Sequence, residues 1–112
     1  MERRVSKRYD ADLLQEDVTR VKLIFPDKYE IDASILDISS HGLRVSIPPS
    51  SAFLSIPQKD ETVKIIFTAT QMHVIGRCIY LMNGSNGGML VGFCVLDPDD
   101  QSKLSKIVDT TY

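Results

Sequence analysis

At 112 residues the chain is long enough for one domain and too short for two, and a core of that size takes roughly two-thirds of the unfolded surface out of water. Hydrophobic residues at 43% and charged residues at 25% are those of an ordinary globular protein, and no apolar run approaches the roughly 18 residues of a membrane-spanning helix. The formal net charge of −2 argues against a general nucleic-acid binder.

The first eight residues, "MERRVSKR", carry Arg3, Arg4, Lys7 and Arg8 against Glu2 alone, so cationic charge is concentrated in a short arm expected over residues 1–12. They lead into acidic and polar sequence rather than the apolar stretch of a signal peptide, which makes the cytoplasm the expected compartment. From residue 17 the pattern has period two. "DVTRVKLIF" puts Val21, Leu23 and Phe25 on one face, Pro26 opens a turn, and "YEIDASILDI" runs back, so the two read as a hairpin. "GLRVSI" alternates Leu43, Val45 and Ile47 with Arg44 and Ser46, then stops at Pro48 and Pro49.

Residues 48–61, with three prolines and three serines, read as a loop holding at most one turn of helix. "TVKIIFTA", "MHVIGRCIYLM" and "GMLVGFCVLD" are three further strands, the last two joined by the hairpin loop "NGSNGG". After "DPDD" the apolar spacing changes: Leu104, Ile107 and Val108 stand at i, i+3 and i+4, which predicts a helix over 98–109 capped by Asp97 or Asp99. Six short strands with regular turns predict a mainly β fold, a six-stranded antiparallel barrel over 17–97, with the terminal helix closing one opening or packing on a partner. Cys78 and Cys94 sit within apolar strands and read as small buried hydrophobes rather than a disulfide.

Two polar stretches stand apart from this pattern. In "RVSKR", Arg4 and Arg8 are four apart and share a side of the segment, so two guanidinium forks can converge on one anion; phosphate oxygens and the O6/N7 edge of guanine suit them. A solvated tail explains the same residues. In "DISSHG", at residues 37–42, Asp37 and Ser39 share one face of an extended segment. The carboxylate, an acceptor only, suits the N1–H and N2–H donors of guanine, whereas adenine presents an acceptor at N1. Ser39 can donate to a phosphate, and Gly42 allows either a positive φ or a close backbone approach. A turn built from Asp, Ser and Gly explains this stretch as well.

Together, in this order and on a barrel, the Arg-x-x-x-Arg of residues 4–8 and the Asp-x-Ser-x-x-Gly of residues 37–42 resemble the PilZ domain, a bacterial receptor for cyclic di-GMP. "ER" before Arg4 and "VGF" at 91–93 are similar to that family's surroundings, so the resemblance covers nearly all of residues 1–112 as a single domain. It implies that Arg4 and Arg8 hold phosphates and stack on or bond to guanine, that Asp37 and Ser39 meet guanine and phosphate from the barrel, and that Gly42 shapes the loop. Arg3, directly before the first motif arginine, then favours a stacked pair of ligands. The implied protein is a cytoplasmic, non-catalytic effector that signals to a downstream protein partner in motility, exopolysaccharide or biofilm control, as a monomer or a ligand-modulated dimer.

No other chemistry stands out. His41 and His73 are far apart with no cysteines at zinc spacing, and neither a Gly-x-Ser-x-Gly nor a phosphate loop is present, so no metal, cofactor or catalytic residue is expected. Arg20, Lys22, Arg44 and Arg77 read as solvated outward positions. The rival readings are a ligand-independent adaptor of the same fold, against which the intact arginines speak, and a barrel for single-stranded nucleic acid. The latter needs aromatics on a basic face, and the chain has no Trp.

Overall fold

The computed structural model describes residues 9–10, 19–26, 29–52, 56–84 and 87–111. The strands are β1 (Tyr9–Asp10), β2 (Arg20–Ile24), β3 (Glu30–Ser39), β4 (Gly42–Ile47), β5 (Thr62–Phe67), β6 (His73–Asn83) and β7 (Met89–Cys94). A four-residue helix α1 (Pro49–Ala52) and a long helix α2 (Pro98–Thr111) complete the described elements. Every pairing is antiparallel, in the order β3-β2-β5-β6-β7-β4, and β4 pairs with β3 again, so β2 to β7 close into a six-stranded barrel. Closure leaves none of those six strands as a flat edge.

Strand alternation fills the interior: Val21 and Leu23, Ile31, Ala33 and Ile35, Leu43, Val45 and Ile47, Val63, Ile65 and Phe67, Val91 and Phe93 are all buried in one cluster. The strand expected to reach residue 69 ends at Phe67, because Gln71 takes a φ of 61° and its N–H returns to the Phe67 carbonyl at 2.8 Å. Two bulges interrupt the alternation. β3 slips against β4 between Ile35 and Asp37, and β6 slips against β7 between Cys78 and Tyr80. Each reverses the inward and outward phase beyond it. On β3 this makes both Ile35 and Ile38 core residues and turns Asp37 and Ser39 to the outer wall.

Helix α2 touches both β3 and β6, which lie opposite one another in the ring, so it crosses the barrel mouth. Its apolar stripe of Leu104, Ile107 and Val108 joins the core. The two-residue β1, within the segment expected as an arm, extends the edge of β3 beyond β2: Tyr9 is registered opposite Ile38 and Asp10 opposite Asp37. No described helix is long and apolar enough to cross a membrane.

Candidate functional site on the outer wall

The 37–42 stretch is the β3–β4 hairpin, with Ser40 and His41 as its turn. Ser39 braces it: its hydroxyl accepts the His41 N–H at 3.3 Å and donates to the Gly42 carbonyl at 3.5 Å. The His41 carbonyl in turn accepts the Val95 N–H at 2.8 Å, tying the turn to the segment that leads into α2. Gly42 has no positive φ; its role is close approach. A Cβ there would collide with the Phe93 carbonyl oxygen of β7.

Asp37 lies outside the core, yet is only 3% exposed, and Ser39 4%. Asp37 is covered by Arg44, whose Nε donates to its Oδ2 at 2.5 Å and whose terminal nitrogen pairs with the same oxygen. The guanidinium is held protonated above its already high ordinary range. The hydrogen bond to Asp37 is the main cause; partial burial opposes it, and Tyr80 adds to it. Arg44 therefore does face outward, but as the partner of a motif carboxylate rather than as a solvated cation. Parity alone shows its face; only the β3–β4 register shows its partner.

Two cross-strand rows form the wall. One runs Ser39, Gly42, Cys94, Arg77 over β3, β4, β7 and β6. Arg77 thus stands two strands from the 37–42 hairpin, separated by β7. The second row runs Asp37, Arg44, Gly92, Tyr80. Cys78 points inward, buried, with its thiol pKa pushed up by that burial; Cys94 is half-buried on the wall, and both are free thiols. Among the described residues no group of His, Cys, Asp and Glu is placed to hold a metal ion.

Asp37, Ser39 and Gly42 are thus brought together at one strand end. Arg3, Arg4 and Arg8 lie outside the described residues, but Tyr9, which follows Arg8, is paired to Ile38, between Asp37 and Ser39. Sequence reasoning missed Arg44, Tyr80 and Gly92, which become neighbours only across strands.

The family model described as PilZ domain matches residues 2–110. Among solved structures, Escherichia coli YcgR in complex with c-di-GMP aligns with a TM-score of 0.65 at 13% identity, covering 97% of this chain and 46% of that one. The Bacillus subtilis inhibitor of motility MotI/DgrA aligns at 0.70 and 18%, covering 98% and 51%. The K. pneumonia MrkH–c-di-GMP complex aligns at 0.65 and 17%, covering 96% and 52%. At such identities the likeness is one of fold, and the chain spans about half the length of each of these proteins. No curated protein sequence matches the chain.

Proposed function

Because the chain belongs to the PilZ domain family, we propose that it is a cytoplasmic, non-catalytic receptor for cyclic di-GMP that passes the signal to a downstream protein. Arg4 and Arg8 grip phosphates and guanine, Asp37 accepts from the guanine N1–H and N2–H edge, Ser39 and Gly42 shape the phosphate side, and Arg3 favours a stacked pair of ligands. The single observation that carries this reading is the register of β1, which delivers the chain immediately after Arg8 to the strand end bearing Asp37 and Ser39. That E. coli YcgR and MrkH were solved with c-di-GMP supports the choice of ligand.

Signalling follows from closure of the arginine arm over the ligand. Fixing backbone costs about 1–2 kcal/mol per residue, and the charge-assisted contacts must exceed it. A micromolar dissociation constant corresponds to about −8 kcal/mol net. The closed arm then creates or hides a surface for the partner, a population shift without chemistry on the ligand.

Isothermal titration calorimetry with cyclic di-GMP, against GMP and cyclic di-AMP, tests the proposal. Saturable binding of cyclic di-GMP alone is the expected result, with a stoichiometry that reads the role of Arg3. Arg8→Ala should weaken binding by about 2–5 kcal/mol, as loss of one partner of a buried charged pair does. Binding by Arg8→Ala as tight as the parent's would remove the arm from the mechanism. Absence of any binding by the parent would leave the fold and make the protein an adaptor acting through protein contacts.

A further inference from the structure

In the row Asp37, Arg44, Gly92, Tyr80, four strands contribute one residue each, and the two outer members reach the wall only because of the two bulges. The inner members explain one another. A Cβ on Gly92 would collide with the Tyr80 ring, so glycine is what lets that ring lie across β7 toward Arg44. Arg44 directs two nitrogens at the same Asp37 oxygen, and its side chain is 43% exposed where that of Asp37 is 4%. The cation is the more exposed member of the pair.

A carboxylate so far removed from water is costly to keep charged unless a partner neutralises it, and a planar fork fixes its direction as a point charge does not. We propose that Arg44 is a positioning residue for guanine recognition: it holds the Asp37 carboxylate in one orientation, with Tyr80, seated on Gly92, bracing it. This rests on the cyclic di-GMP reading above. Asp37 is then a preorganised acceptor, and the ligand does not have to order it on binding.

The test compares cyclic di-GMP with its inosine analogue, which lacks the 2-amino groups, on the parent protein and on Arg44→Ala, Arg44→Lys and Gly92→Ala, with circular dichroism melts to establish folding. The parent should prefer the guanine ligand by about tenfold or more, the worth of one hydrogen bond to a charged group per base. Arg44→Ala should lose about 100-fold for the guanine ligand and about 10-fold for the inosine ligand, so the preference collapses. Arg44→Lys should restore part of it, and Gly92→Ala, which displaces the ring but leaves both charges, should erode it by a smaller factor. If Arg44→Ala does not fold, the other two variants decide.

Equal losses for both ligands, or an unchanged preference in folded variants, would overturn the positioning role and leave Arg44 a phosphate contact or a structural pair. A parent that binds without preferring guanine would overturn it while sparing the receptor reading. A parent that binds neither ligand would overturn both.

Discussion

Gly42 shows how much one hydrogen atom decides at the outer wall. It is registered opposite Cys94, and the atom a side chain would meet is the Phe93 carbonyl oxygen, part of a backbone that cannot rotate away. Gly92 differs in kind, since what fills its space is a side-chain ring. Gly42→Ala should therefore separate β4 from β7 and cost about 1–3 kcal/mol, the range for overpacking. A thermal melt followed by circular dichroism should show a midpoint lower by roughly 4–8 °C per kcal/mol. An unchanged midpoint would mean that the two strands can move apart freely. The Gly of the 37–42 motif thus has a structural duty whatever it does for a ligand.

At the scale of elements, α2 is fastened to the barrel by its first turn. Asp97 caps it, accepting the Asp100 N–H at 3.1 Å, and Pro98 occupies the first helical position, where its missing N–H has no cost. Asp100 does more than complement the helix dipole. β7 ends at Cys94 opposite Arg77, so the start of β6 has no strand on that side. Asp100 Oδ2 accepts the Ile75 N–H there at 2.9 Å, while Lys103 bonds the His73 carbonyl at 3.0 Å and pairs with Asp100 at 3.2 Å. Asp100→Ala should cost about 1–3 kcal/mol, the worth of a hydrogen bond to a charged group. Amide exchange at Ile75, whose N–H is turned to Asp100, should quicken more than at the β6 amides that bond across to β5. Equal exchange in variant and parent would show that the edge is held by something else.

At the scale of the whole molecule, closure joins segments far apart in the chain: Val21 faces Phe67 across β2 and β5, and Val45 faces Val91 across β4 and β7. Loop-closure entropy has to be overcome before these contacts contribute, so refolding from denaturant should take milliseconds to seconds, as in other small barrels. Stopped-flow far-ultraviolet circular dichroism would read it. Complete recovery within the dead time would contradict a barrel that forms through non-local pairing.

The six barrel strands and the terminal helix were legible because alternation at period two and spacing at 3.6 are local properties of residues such as Val21, Leu23 and Phe25, or Leu104, Ile107 and Val108. The shared face of Asp37 and Ser39 was legible for the same reason. β1 was not, because two residues carry no period; its existence depends on the free edge of β3 beyond β2. Nor were the bulges at Leu36 and Ile79, where no glycine or proline marks the slip. The sequence by itself determined the six barrel strands and the terminal helix and, between bulges, which residues share a face, since both depend on near neighbours along the chain. Only the tertiary structure decided that Asp37 leaves the core, that Arg44 covers it and that Tyr80 lies over Gly92, because each is set by register between strands that the chain order does not bring together.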